Sequence, residues 1–313
     1  MNMQEAPQAP SIPKRQIQLE QLPLAGDSAA LRAACFLSLA TFSETFYPGW
    51  EAARFHRLLA RKLEDCLRRK IKRLIINVPP QHGKSRLASI TFPAWALTKF
   101  PTLRIFQAGH TGELSRGFSM EARTLVSSDR YRQLFPSLIN PKVNRQDHWQ
   151  TRLGGYYYAT SVGGGTGMPA DIILIDDPHR DRAEANSKAA RDRVWQWFTS
   201  TAMTRLAPDG IVIVIQTRWH RDDLAGRLQD PVQVAKLNEA GFKDMNFEVL
   251  SLEAICENPA KDALGRSFGD ALWPEVRTAQ WLNGQRLMIG SFEWNALYQQ
   301  RPNPPGGNVV DVT

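Results

Sequence analysis

Gly83, Lys84 and Ser85 stand in a row between a β-rich run, Arg73 to Val78, and a helical pattern that opens at Arg86. A strand, a tight turn and a helix N-terminus make an anion site, because the first-turn N–H groups lack intrahelical acceptors and point outward. Gly83 lets the backbone approach phosphate oxygens, Lys84 brings a mobile point charge to β and γ oxygens, and the Ser85 hydroxyl suits Mg²⁺. The pattern G-x-x-x-x-G-K-[ST] is met except at its first position, where Val78 stands. Pro79 and Pro80 stiffen that side and offer no N–H. The cradle therefore falls to Gln81, His82 and the amides of Gly83 to Ser85, with Arg86 at its edge. As a loop residue, Lys84 is expected to be partly exposed and its removal to cost little folding energy.

A second run, Ile172-Ile-Leu-Ile-Asp-Asp-Pro178, reads as a buried strand that delivers two adjacent carboxylates at its C-terminal end. Ligands bind at that end of open parallel sheets. Asp176 is assigned to the metal and Asp177 to the attacking water; taken alone, Asp-Asp-Pro also ends a strand as a plain turn. A third run, Ile215-Gln-Thr-Arg-Trp-His220, again follows a buried strand. Thr217 or Gln216 is placed to sense a γ-phosphate and Arg218 to add positive charge, while His220 reads as a structural cap. Gly163-Gly-Gly-Thr-Gly167 lacks a following Lys-Ser/Thr and reads as a mobile loop beside the site.

The elements that must position these groups follow from composition and period. At 313 residues the chain holds one large domain or a domain plus a smaller one. Apolar content of 42% against 22% charged describes an ordinary globular protein and excludes a disordered one. No apolar run approaches the ~20 residues of a membrane span, and the polar, Pro-rich start carries no secretory signal. Three scattered cysteines (Cys35, Cys66, Cys256) show neither metal-ligand spacing nor a disulfide framework and fit a reducing cytoplasm. A net charge of +8 permits a nucleic-acid partner without requiring one. The densest basic stretch, Arg54 to Arg73, is either a solvated helix face or a contact surface.

Residues 1–28 read as a flexible arm. Ala29 to Leu39 reads as a helix ended by the Phe42–Tyr47 aromatic segment, and Phe55 to Leu67 as an amphipathic helix. Beyond the phosphate loop, helices at Leu87–Lys99, Glu113–Val126 and Ala183–Leu206 alternate with strands at Thr102–Ala108, Asp171–Asp176 and Ile211–Ile215. The last two strands do not alternate polar with apolar, as expected of strands buried on both faces of a parallel sheet. The pattern predicts an α/β three-layer core over 29–251. A Pro-, Gly- and Trp-rich lid follows over 252–300, and then linker composition over 301–313.

The run Asn77-Val-Pro-Pro-Gln-His-Gly-Lys-Ser85, then Phe92-Pro-Ala-Trp95, Asp176-Asp-Pro178, Thr217-Arg-Trp-His220 and Tyr298-Gln-Gln-Arg-Pro302, resembles the ATPase half of the large terminase subunit of tailed phages. The similarity runs from about Phe42 to Arg301. It implies a phosphate-loop NTPase of the additional-strand class with ATP and Mg²⁺ as cofactors. In that family the ATPase drives double-stranded DNA into a procapsid, and a C-terminal nuclease domain, expected beyond residue 313, cuts the DNA. The resemblance makes Lys84 and Ser85 the Walker A pair, Asp176 the Walker B acid and Thr217 part of the coupling motif. It points to Trp50 and Phe55 as base-stacking candidates, with core packing as their other reading. The implied partners are the portal protein, the terminase small subunit and further copies in a ring, in the host cytoplasm. Three positions depart from the family: Asp177 where Glu is frequent, and Gln81 and Met168 where an arginine is frequent. The arginine finger is thus open among Arg86, Arg116, Arg123 and Arg218. A helicase-like translocase and a non-catalytic nucleotide-binding assembly protein are the alternatives.

Overall fold

The structure, a computed structural model, describes residues 26–165 and 167–302. The expected arm, save its last three residues, and nearly all of the 301–313 linker lie outside the described residues. In chain order the strands are β1 (Arg73–Asn77), β2 (Arg104–Gly109), β3 (Ile139–Asn144), β4 (His148–Thr151), β5 (Tyr156–Ser161), β6 (Ala170–Asp176), β7 (Leu206–Gln216) and β8 (Glu248–Ser251). They form one sheet in the order β3-β4-β5-β2-β6-β7-β1-β8. The pairs from β5 to β8 are parallel, and only the β3–β4 and β4–β5 pairs at one edge are antiparallel. Strand β7 separates the phosphate-loop strand β1 from the carboxylate strand β6, which is the arrangement the additional-strand class requires.

The uninterrupted apolar runs are explained by two cores, one on each face. Leu74 and Ile76, Ile172 and Leu174, and Ile211, Ile213 and Ile215 pack into one of them. The alternate residues Ile75, Ile173, Ile175, Val212 and Val214 pack into the other. The first face is covered by α1 (Gly26–Leu37), α2 (Leu39–Phe46), α3 (Arg54–Leu67), α4 (Phe92–Lys99), α5 (Gly112–Ser127) and α6 (Asp129–Leu134). After α7 (Arg182–Asn186), the second face is covered by α8 (Lys188–Trp197) and α9 (Leu224–Leu228). This is a sheet between helical layers, with the strand C-termini of β1, β6 and β7 left to build a site.

Two helix expectations change. The Phe42–Tyr47 segment does not end a helix; it lies largely within α2, because Ser38 accepts the Thr41 N–H and starts a new helix that drives Phe42 and Phe46 into the core. The long helix expected over Ala183–Leu206 is broken at Ser187, whose side chain caps α8 through the Ala190 N–H. Thr199, Ser200 and Thr204 then bond back to preceding carbonyls, the segment tightens and widens by turns, and Leu206 already belongs to β7.

The helix after the phosphate loop departs from regular geometry for a local reason. Pro93 has no N–H to give to Ser89 O, so the turn Arg86–Thr91 widens to a π-helix and Phe92 N–H reaches Leu87 O. The freed Ser89 carbonyl accepts the Tyr157 hydroxyl at 2.8 Å. Further along come α10 (Pro231–Glu239) and α11 (Ala279–Glu293). Residues 252–300 carry a small cluster of their own (Ala254, Ile255, Ala271, Leu282, Trp294), while Leu252, Leu264 and Leu272 pack into the main core.

Candidate nucleotide-binding cleft

The loop after β1 is held from behind. Ala53 N–H donates to His56 Nδ1 at 3.1 Å, which leaves the proton on Nε2 to be donated to the His82 carbonyl at 2.9 Å. His82 Nδ1 lies 2.8 Å from the Pro80 carbonyl. Burial pushes both imidazoles down to about 4, so both are neutral at pH 7. Gly83 has φ 72°, and a Cβ there would stand 3.0 Å from His56 Nε2, so only glycine fits between turn and buttress. Gln81 (φ 57°) and Asp177 (φ 43°) hold left-handed backbone without being glycine. Such strain is retained where the surroundings over-determine it, and both residues face the same cleft.

Three strand ends meet at Lys84. Its Nζ lies 2.8 Å from Asp177 Oδ2 and donates to Thr217 Oγ1 at 3.0 Å. Thr217 Oγ1 in turn donates to Val78 O, and the Thr217 N–H donates to Asp177 Oδ1 at 2.8 Å. Lys84 is 7% exposed, which overturns the expectation of a partly exposed loop lysine. Asp177 and Thr217, delivered by the ends of β6 and β7, enclose the charge. Burial pulls the Lys84 ammonium down, but Asp177 and Asp176 outweigh it and the net shift is upward.

Asp176 is buried at the end of β6 and accepts the Ser89 hydroxyl at 2.6 Å. Burial and then the neighbouring Asp177 push its carboxyl up to about 7, against the pull of Lys84, Ser89 and Ser85. Its Oδ1 is buried with no hydrogen bond of normal geometry. A buried carboxylate oxygen without a donor, beside the Ser85 hydroxyl, fits a hard cation whose remaining ligands come from phosphate and water.

A cavity of about 150 Å³ opens over this group, lined by Pro80, Gln81, Lys84, His110, Asp177, His179, Arg180, Thr217, Trp219 and Leu297. The cleft thus brings together Gln81, Lys84, Asp177 and Thr217, with Asp176 and Ser85 beneath. Other expected residues stand elsewhere. Arg218 Nε is bound to the fully buried Asp223 at 2.9 Å, which turns its charge away from the cleft. Arg86 lies over the Tyr47 ring, 5.1 Å from its centroid, and Arg123 donates to the Asn144 carbonyl. Phe55 has no exposed surface and packs on His56, His82 and Trp273, while Trp50 packs on His56. These two rings support the loop from the core and offer no open face to a base. His82 is likewise a support, with only its carbonyl and N–H on the loop. The described part of Gly163–Gly167 does not line the cavity; Trp197 Nε1 donates to the Gly164 carbonyl.

Ser89, His110, His179, Arg180 and Trp219 stand at the site without a role assigned to them by the sequence motifs. His179 and Arg180 follow directly on Asp176-Asp-Pro178, and that adjacency was a usable signal. Ser89 is four residues past Ser85, one turn along the same helix face. A second cavity of about 330 Å³ is lined by Ala53 and Arg54 at the start of α3 and by residues from Leu264 to Glu275.

Comparisons with known proteins bear on the fold and on the family. The chain superposes on the large terminase of bacteriophage HK97 with a TM-score of 0.53 at 15% identity, covering 84% of this chain and 54% of that one. The ATPase domain of the Thermus phage P74-26 large terminase gives a TM-score of 0.48 at 16% identity, over 74% of this chain and 88% of that one. A large terminase from a thermophilic bacteriophage, solved with ATP-gamma-S, gives 0.43 at 16% identity, over 76% and 51%. The chain spans about half the length of the first and third of these proteins. No curated protein matches. The sequence pattern of the T4likevirus-type terminase large subunit, N-terminal part, matches residues 75–288, well over half of the chain, and the chain belongs to that family.

Proposed function

We propose that this chain is the ATP-hydrolysing motor domain of a terminase large subunit, which couples hydrolysis to movement of double-stranded DNA into a procapsid. The observation that carries the proposal is the Lys84–Asp177–Thr217 contact set, above a buried Asp176 and Ser85, at the ends of three adjacent parallel strands. Lys84 and Asp177 satisfy one another. A triphosphate entering the cleft competes for Lys84 through its β and γ oxygens, and Asp177 Oδ2 is released. The Thr217 N–H still holds Oδ1, so the freed oxygen stays oriented toward an attacking water. Asp176 and the Ser85 hydroxyl would hold Mg²⁺, which neutralises phosphate charge during in-line transfer. The base is assigned to the cavity between Ala53–Arg54 and Leu264–Glu275, with Trp50 and Phe55 packed behind the loop.

Lys84 is paired to the acid it must free, so binding and catalytic readiness are linked. Thr217 touches both, which suits it to relay the presence of γ-phosphate from β7 to the segments that follow. Residues 252–300 form the lid in this reading, and their displacement moves DNA. The portal protein, the terminase small subunit and neighbouring copies in a ring are the partners, in the host cytoplasm. Within the basic stretch 54–73, Arg57, Lys62, Arg68, Arg69 and Lys70 are each paired with a carboxylate. Mg²⁺-dependent phosphate release from ATP, lost in Lys84→Ala, tests the proposal. Equal turnover in parent and variant would contradict it.

A further inference from the structure

Lys84 and Arg180 are the lysine and arginine among the residues lining the cleft. Three carboxylate-tied arginines surround it: Arg180 Nε lies 2.8 Å from Asp181, Arg218 is held by Asp223, and Arg182 by Glu293. Arg277 differs from all of them. It belongs to the C-terminal segment, yet its Nη2 donates to Gln81 Oε1 at 2.7 Å, on the rim of the phosphate loop. Its guanidinium also lies over the Trp281 ring, 4.4 Å from the centroid. Among the described residues no carboxylate forms an ion pair with it, so its charge is spent on one neutral amide and one ring face.

The backbone that carries Arg277 is fixed against the loop. Trp273 and Arg277 form an antiparallel bridge, and the Arg277 N–H donates to the Trp273 carbonyl at 2.7 Å. The Trp273 ring meets His56 edge-on at 4.9 Å and lies 6.2 Å from His82, both of which hold the loop from behind. Thr278, the next residue, caps α11. One side of this segment is thus clamped to the back of the loop while Arg277 reaches its front, beside Gln81, which lines the cavity with Lys84 and Asp177.

We propose that Arg277 is the phosphate-contacting arginine of this site, supplied by the same chain. It rests on the Gln81 amide and moves to the γ-phosphate of a bound nucleoside triphosphate. The inference rests on the ATPase reading above and adds to it the source of the charge. A guanidinium held by a neutral amide gives up less on moving to an anion than one paired with a carboxylate. Because Thr278 starts α11, the transfer pulls on that helix and ties its position to the presence of γ-phosphate. A diphosphate lacks the group that Arg277 would hold.

The test compares Arg277→Ala, Arg277→Gln, Lys84→Ala and Arg277→Ala/Gln81→Arg in the full chain. Equilibrium affinities for Mg·ATP-gamma-S and Mg·ADP are measured alongside ATP turnover and melting temperature. Arg277→Ala should weaken ATP-gamma-S about 10-fold or more with ADP affinity within about threefold, and lower turnover about 10–100-fold. Gln81→Arg, which puts a guanidinium on the loop itself, should recover at least about tenfold of that turnover. If the Ala variant melts early, Arg277→Gln, which keeps most of the stem, carries the comparison. Equal weakening of both nucleotides, or no recovery by Gln81→Arg, overturns the role of Arg277 while leaving the ATPase reading standing. If Lys84→Ala also leaves nucleotide binding and turnover unchanged, the ATPase reading itself has failed.

Discussion

Replacing Lys84 with Ala tests the electrostatics of the cleft before any nucleotide enters it. The substitution deletes the cation that sits 2.8 Å from Asp177 Oδ2 and 3.0 Å from Thr217 Oγ1. At 2.8 Å and an effective dielectric of about 20, the lost Coulomb attraction is ~6 kcal/mol. Against this, Ala removes the desolvation of an enclosed ammonium, and water reaches the Asp177 side chain, which is 24% exposed. Deleting one side of a buried pair generally costs about 3–5 kcal/mol, and with solvent at Asp177 we expect about 2–4 kcal/mol. The assay is urea unfolding of the nucleotide-free protein, with Lys84→Ala/Asp177→Asn as the companion variant. Asn keeps an oxygen for the Thr217 N–H and removes the uncompensated charge, so more than half of the lost stability should return. A Lys84→Ala protein within about 0.5 kcal/mol of the parent would refute this reasoning, as would a double variant no more stable than the single.

Asp177→Asn should cut ATP turnover by about 10²–10⁴-fold with nucleotide affinity within a few-fold, since water positioning matters in the transition state; single-turnover assays beside binding titrations read both, and near-parent turnover moves the catalytic acid elsewhere. Gly83→Ala should cost about 1–2 kcal/mol in urea unfolding, because its Cβ meets His56 in a left-handed turn; parent-like stability would show that the buttress yields. The imidazoles of His56 and His82, lowered to about 4, should show no titration in NMR between pH 8 and pH 5. Their stabilising contribution is present above the unfolded value near 6.5 and is lost as pH falls toward 4, about 2 kcal/mol each by pH 5. Asp176, raised to about 7, acts with the opposite sign over part of that range, so site-resolved NMR decides where bulk stability does not. Midpoints near 6.5 for both imidazoles would contradict the buried, neutral assignment.

The parts of this protein that were legible in its sequence are those written locally. Ile172–Asp177 and Ile211–Thr217 announce buried strands ending in polar groups, and Gly83-Lys84-Ser85 needs only the strand before it. What was not legible depends on distant chain. Lys84 looks exposed until β6 and β7 bring Asp177 and Thr217 against it. Arg218 looks available until Asp223 takes it, and Phe55 looks like a stacking platform until Trp273 and His82 cover it. Arg277 lies 196 residues from Gln81, and no spacing rule connects them. The broken helix after Ala183 shows a different limit. Its apolar period continues past Ser187, but side-chain capping there outweighs the period.

A structure of this chain with Mg²⁺ and ATP-gamma-S measures the central claim most directly. The account predicts that Lys84 Nζ leaves Asp177 for the β and γ oxygens, with Mg²⁺ between Ser85 and Asp176 and Asp177 Oδ2 open to a water in line with the γ-phosphate. A nucleotide bound elsewhere, or a Lys84–Asp177 pair that persists at 2.8 Å beside a filled cleft, would contradict it.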